Sequence, residues 1–155
     1  MRLTMRAGLI FTAALLATGC HHRTVPPPRQ ALTASPAGPS LYQRLGGVDA
    51  IRVVVHDFVG RVAVDNRING FFRGVDIPNL ERLLTDQICQ ATGGPCVYSG
   101  RPVRVAHAGL GLTEAHVRAM DEDLGAALDH FNVPAREKGE LLALLGTLKG
   151  EVIGR

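Results

Sequence analysis

Between Ser40 and Ile153 the apolar residues recur three and four positions apart, and the runs they form break at glycine. That combination leaves few folds open. A helical period cannot lie still as a strand, and each break must become a corner. Ile51, Val54, Val55, Phe58, Val59 and Val62 make one apolar face over about four turns. Arg52, His56, Asp57 and Arg61 fall mostly elsewhere, which puts His56 towards solvent. Val53–Val55 alone would suit a strand, but the longer period decides for helix. Residues 77–92 continue the pattern, with Pro78 in the first turn, where proline is tolerated. Leu80, Leu84, Gln87, Ile88 and Ala91 share a stripe there, and Glu81, Arg82 and Asp86 face away. Gln87 is the odd member: its amide either reaches water at the edge of the buried face or hydrogen-bonds something inside a pocket.

Val117, Met120, Leu124, Ala127 and Leu128 predict a further helix over 114–131, with His116 and His130 as ordinary polar residues on it. From Pro134 a last helix carries Leu141, Leu142, Leu144, Leu145, Leu148, Val152 and Ile153. Gly46-Gly47 stops a short helix begun by Leu41, Tyr42 and Leu45, and Gly93-Gly94-Pro95 stops the helix over 77–92. After the turn signal Asn69-Gly70 come Phe71 and Phe72. In a chain with 5% aromatics and no Trp, two adjacent phenylalanines must bury something large. No strand pattern and no repeat stands out, so the fold class is all-α.

The third corner is Arg101–Thr113, RPVRVAHAGLGLT. Gly109 and Gly111 permit backbone angles that end any helix carrying His107. Thr113, followed by Glu114, is a suitable cap for the next helix. His107 is thus presented from a sharp corner between two helices. Neutral imidazole is a common metal ligand; a surface or half-buried histidine near a helix end is the other reading of this stretch.

The first twenty residues, MRLTMRAGLIFTAALLATGC, combine a short basic start, an apolar run and small residues before Cys20. This is a secretory pattern, its apolar part short for a membrane span. Leu16-Ala17-Thr18-Gly19-Cys20 resembles the cleavage box of bacterial lipoproteins, in which the cysteine is lipidated; a plain secretory signal is the alternative. Residues 21–40 hold five of the nine prolines and read as a tether. The expected organisation is a signal peptide at 1–19, the lipidated Cys20 and Pro-rich tether at 20–40, and a helical domain at 41–155. Membrane attachment through the N-terminal lipid would leave the domain facing the periplasm. His21 rather than Asp follows Cys20, which favours the outer membrane in a diderm bacterium. Cys89 and Cys96 could close a small loop in such an oxidising compartment, or remain thiols whose side chains point apart.

The net charge of +3 comes from the leader: residues 1–40 contain four arginines and no acid, leaving 17 − 4 = 13 basic against 14 acidic residues beyond. A nearly neutral domain has no strong phosphate-neutralising face, which argues against nucleic acid as a partner.

Taken in order, LYQRLGG at 41–47, INGFFRGVDI at 68–77, ATGGPCVYSGR at 91–101 and AHAGLGLT at 106–113 resemble the group I truncated hemoglobins, two-over-two helical globins. The resemblance runs from about Leu41 to Ile153 and implies a helical sandwich around haem b. It makes His107 the proximal ligand of the iron. It places Phe72 against the macrocycle, with Phe71 a further contact, and Leu80, Leu84 and Gln87 on the distal helix. Val103, Leu112, Val117 and Met120 would line proximal and edge contacts, and Tyr98 and Arg104 are candidates for the haem propionates.

The departures from the family pattern bear on function. Where the second helix usually offers a tyrosine hydroxyl to bound oxygen, this chain has Val59; Leu84 stands where a glutamine is common, and Leu83 where a basic residue often meets a propionate. Gln87 is then the evident distal hydrogen-bond donor. The implied function is reversible binding of diatomic gases, oxygen with NO or CO as others, supported by a reductant the sequence does not identify. Haem-dependent detoxification of NO or peroxide, or a non-catalytic haem carrier or sensor, are the alternatives. A dedicated enzyme is the less favoured reading, and no catalytic residue is assigned.

Overall fold

The computed structural model describes residues 38–155. The expected signal peptide, Cys20 and nearly all of the tether lie outside the described residues. Those described form α-helices and one 3-10 turn, without a strand among them. In chain order the helices are α1 (Leu41–Arg44), α2 (Gly47–Val64), α3 (Ile77–Ala91), α4 (Val103–Ala106), α5 (Glu114–His130), α6 (Ala135–Gly146) and α7 (Lys149–Val152), with the 3-10 turn at Asn69–Phe72. None is long and apolar enough to cross a membrane.

Local chemistry sets the ends of these helices. The Ser40 hydroxyl accepts from the Gln43 amide at 3.3 Å while the Gln43 side chain accepts from the Ser40 N–H at 2.9 Å. This reciprocal cap starts α1. Gly46 and Gly47 then take left-handed φ values of 94° and 81°, turning the chain directly into α2. Ile51, Val54, Val55, Phe58, Val59 and Val62 are all buried, as their spacing predicts. They pack α2 between α3 and α5, and α6 completes a second pair with α5. Two helix pairs joined through α2 and α5 make the two-over-two arrangement.

At the far end of α3 the backbone closes tightly. The Tyr42 amide donates to the Thr92 carbonyl at 2.9 Å. A Cβ at Gly94 would stand 2.5 Å from Tyr42 Cδ2 and 2.7 Å from Cys89 Sγ, so only glycine fits beneath that ring. Cys89 and Cys96 are joined in a disulfide across this corner, with Cα atoms 5.7 Å apart.

The structure departs from two expectations. Ala91 is exposed, and the buried positions of α3 are Thr85, Ile88 and Cys89. Leu80, Leu84, Gln87 and Ile88 of the expected stripe do border one cavity, and Thr85 and Cys89 are buried beside them on a second inward face. Thr85 can be buried because its hydroxyl donates to the Glu81 carbonyl at 2.8 Å. The single last helix expected after Pro134 is broken into α6 and α7. Gly146 weakens the helix there, and the Thr147 hydroxyl donates back to the Leu144 carbonyl at 2.7 Å. The break lets α7 lie against α4.

Candidate functional site

Beside the core, a cavity of about 780 Å³ opens between the two helix pairs. Phe58, Val59 and Val62 of α2 form one wall. Leu80, Leu83, Leu84, Gln87 and Ile88 of α3 form the adjoining one. Ile68 and, from the 3-10 turn, the half-buried Phe71 and Phe72 enter beside them. The opposite side is His107, Leu110 and Leu112 of the glycine corner, with His116, Val117, Met120 and Leu124 of α5. Polar groups gather at one edge, where the first turns of α3 meet residues 98–101.

His107 is half-buried at the end of α4, and the following Gly109 and Gly111 take left-handed φ values of 81° and 60°. Its Nδ1 lies 2.7 Å from the Val103 carbonyl oxygen. A carbonyl can only accept, so Nδ1 carries the proton and Nε2 keeps its lone pair. Thr113 caps α5 as expected, and its partner is His116. The Thr113 hydroxyl accepts from the His116 amide at 3.4 Å, and His116 Nδ1 accepts from the Thr113 amide at 3.2 Å. That leaves the proton of neutral His116 on Nε2, so this ring is a donor rather than a ligand. It also meets Phe71 edge-on, with ring centroids 4.9 Å apart.

The structure brings His107, Val59, Phe71, Phe72, Leu80, Leu84, Gln87, Tyr98, Leu112, Val117 and Met120 to the one cavity. Two expected contacts stand elsewhere. Arg104 is exposed on the single turn of α4 and does not line the cavity. Val103 also lies off the wall, and its contribution is the carbonyl oxygen that orients His107. Arg82, expected to face away, and His116, expected as an ordinary polar residue, both reach the cavity lining, as does Arg101, to which the sequence assigned no role. A threonine three residues before a histidine at a helix start was the available signal for His116. Arg82 and Arg101 carried none beyond their nearness to Leu83 and Tyr98.

The remaining described histidines are occupied on the outer surface. His56 Nδ1 lies 3.0 Å from Glu81, and His130 Nδ1 lies 3.0 Å from Asp57. The Arg61 guanidinium beside Asp57, helped by His130, holds that carboxyl below its ordinary range.

What would fit the cavity follows from its donors. Among the described residues no three His, Cys, Asp or Glu side chains converge as a metal site. A metal held by His107 must therefore bring its other ligands with it, as the iron of a macrocycle does. Largely apolar walls, one imidazole with a free Nε2, and Arg82 and Arg101 in the lining suit such a group.

Comparison with known proteins agrees with this geometry. The bacterial-like globin family model matches residues 40–153. A group 1 truncated hemoglobin of Mycolicibacterium paratuberculosis is 35% identical over 119 residues, 77% of this chain and 86% of that protein. Among solved structures, the truncated hemoglobin of Tetrahymena pyriformis in its Fe(III) form has a TM-score of 0.73 at 28% identity, covering 76% of this chain and 100% of its own. The 2/2 hemoglobin of Synechococcus, solved with covalently attached heme, has a TM-score of 0.70 at 32% identity, with coverage of 76% and 100%.

Proposed function

The chain belongs to the bacterial-like globins, among the group 1 truncated hemoglobins, and on that premise we propose that it holds haem b and reversibly binds diatomic gases at a periplasm-facing membrane surface. The observation that carries the reading is the 2.7 Å approach of His107 Nδ1 to the Val103 carbonyl, which in the neutral imidazole leaves the Nε2 lone pair free at the wall of a largely apolar cavity. Haem, when bound, supplies an iron whose sixth position accepts a gas molecule. The protein's part is to hold and shield it. His107 Nε2 would hold the iron, and Phe72 would pack on the macrocycle. On the distal side Val59 and Leu84 exclude water and donate nothing. The Gln87 amide has no hydrogen-bond partner among the described residues and is the donor left there. So apolar a distal side favours binding over turnover of NO or peroxide, which needs polar groups to organise water and protons.

The absorption spectrum of the purified, reduced protein with and without carbon monoxide tests this. A mainly five-coordinate ferrous haem that converts fully to the carbon monoxide form is expected. No retained haem, or a sixth position closed to carbon monoxide, counts against it.

Attachment to the membrane through a lipidated Cys20 is the second part of the proposal. Its support is the sequence Leu16-Ala17-Thr18-Gly19-Cys20 alone. Fatty-acid labelling should track Cys20, and Cys20→Ser should move the protein from the membrane fraction to the soluble one. An unlabelled parent counts against it.

A further inference from the structure

We propose that the Cys89–Cys96 bridge is a redox-operated clasp: closed, it holds residues 97–101 in place as one rim of the cavity, and opened by a dithiol it frees that rim and speeds release of the cofactor. The proposal rests on the haem reading above.

Its basis is how little else holds this stretch. α3 ends at Ala91 and α4 begins at Val103. Among the described residues, no main-chain hydrogen bond pairs any of residues 95–101 with another main-chain group. Two side-chain contacts reach back to α3: Gln90 Oε1 accepts from the Tyr98 amide at 2.6 Å, and Arg82 Nη1 reaches Ser99 Oγ at 3.5 Å. Both are exposed, where a hydrogen bond exchanges readily with water. The Tyr98 hydroxyl donates to the Arg101 carbonyl at 2.8 Å, a bond inside the segment that gives it shape without fixing its place. The covalent bridge is its main hold on α3.

The two ends of the bridge differ. Cys89 is fully buried, and its corner is pinned: the Gly94 amide donates to the Cys89 carbonyl at 2.8 Å, and the Tyr42 amide to the Thr92 carbonyl at 2.9 Å. Cys96 is half-buried. A thiolate arriving from solvent therefore meets the Cys96 sulfur first. It forms a mixed disulfide there and displaces the Cys89 thiolate, which takes up a proton. The second thiol of the reagent then displaces the Cys96 thiolate, which does the same. Two electrons and two protons pass to the cysteines, and the dithiol leaves as its own disulfide. Cys89 stays fixed in the core, whereas Cys96 and the rim after it come free. What moves adjoins the site: Tyr98, Ser99, Gly100 and Arg101 line the cavity, and Pro102 then opens the turn that ends in His107. Retention of the cofactor thus follows the thiol–disulfide state of the compartment.

The test uses the full chain carrying Cys20→Ser, so that the third cysteine takes no part in exchange. The protein is loaded with haem, reduced with dithiothreitol, freed of the reagent without air and mixed with excess apomyoglobin, well below the Tm of either form. Reduction should speed haem transfer about tenfold, within the roughly fiftyfold ceiling that a bridge closing so short a loop sets on opening of the chain. Cys89→Ala with Cys96→Ala should match the reduced rate and not respond to the reagent. Gln90→Ala should change transfer little while the bridge is closed and accelerate it further once it is open. Hydrogen exchange, run with and without haem, separates a local clasp from general loosening. On reduction the amides of residues 97–107 should lose protection while those of α2 keep theirs. A transfer rate unchanged by reduction overturns the clasp, and so does equal loss of protection in α2. A parent that binds no haem overturns instead the haem reading, and exchange at residues 97–107 of that protein still decides whether the bridge holds the rim.

Discussion

Nδ1 of His107 sits 2.7 Å from the carbonyl oxygen of Val103, one turn earlier in the chain. The main chain thereby fixes both the tautomer and the direction of the ring. His107→Gly should lower haem affinity by more than about a hundredfold, since loss of an outer-shell partner alone costs up to that much. Added imidazole should restore part of the spectrum. Substitutions at His56 and His130, both paired with carboxylates on the surface, should leave haem content unchanged. Retention in the His107 variant would remove the assignment.

The distal side makes a kinetic prediction. Val59 is buried in the cavity wall and cannot donate a hydrogen bond. Bound oxygen lacks an interaction of about 1–2 kcal/mol, equivalent to about tenfold in affinity. Val59→Tyr should slow oxygen release by up to that factor, and Gln87→Leu should speed it. Stopped-flow release decides both. Slow release from the parent, unaltered in either variant, would place the stabilising group elsewhere.

Cys89 and Cys96, seven positions apart, close a short loop. Loops of this size stabilise by about 2–3 kcal/mol through the unfolded chain. The double variant Cys89→Ala with Cys96→Ala should lower the Tm, and a dithiol should lower that of the parent but not of the variant. Mass spectrometry of non-reduced peptides should show the bridge in exported protein. Two freely alkylated thiols there would exclude it.

Asp123 supplies a pH dependence. Its Oδ2 is buried without a hydrogen-bond partner among the described residues. Burial first, and then the neighbouring carboxylate of Asp65, push its carboxyl above the ordinary range. The fold therefore favours the protonated form. Stability falls as pH rises from the ordinary carboxyl value of 3.8 through the raised value, and the loss is complete above it. Asp123→Asn should raise the Tm at pH 7 by about 2–5 °C, corresponding to roughly 1 kcal/mol. The gain should shrink on acidification and vanish below the ordinary carboxylate range. An unchanged or lower Tm at pH 7 would contradict this.

Much of the fold is legible in the sequence because period and punctuation agree. The face of α2 and the corners at Gly46-Gly47 and Gly93-Gly94 need only local rules. The same rules fail where a helix serves two neighbours. Leu84 and Thr85 are adjacent in α3, yet one borders the cavity and the other the packed core. A periodic count merges the two faces into one stripe and extends it to Ala91. The break at Gly146 was missed for a related reason: the apolar residues continue through it, and only the Thr147 back-bond and the place taken by α7 separate the halves. At the site, His107 on its glycine corner and the apolar walls could be read along the chain. The polar edge could not, since residues 98–101 meet α3 only through the return of the chain after Gly94.

The corner that follows His107 is tied to a much later segment. The Gly111 amide donates to the Arg155 carbonyl at 3.0 Å, and the Gly154 amide donates to the Leu112 carbonyl at 2.9 Å. These partners are 155 − 111 = 44 and 154 − 112 = 42 positions apart. Synthesis runs from the N-terminus, so α2, α3 and the Cys89–Cys96 loop can all form while the proximal corner still lacks its brace. The order of assembly then separates the two sides of the cavity in time. The side formed by α2 and α3 can be built early, whereas the side that carries His107 settles only after α7 has emerged and folded back. Cofactor capture belongs to the final stage of folding, and a fusion placed after Arg155 acts on it directly.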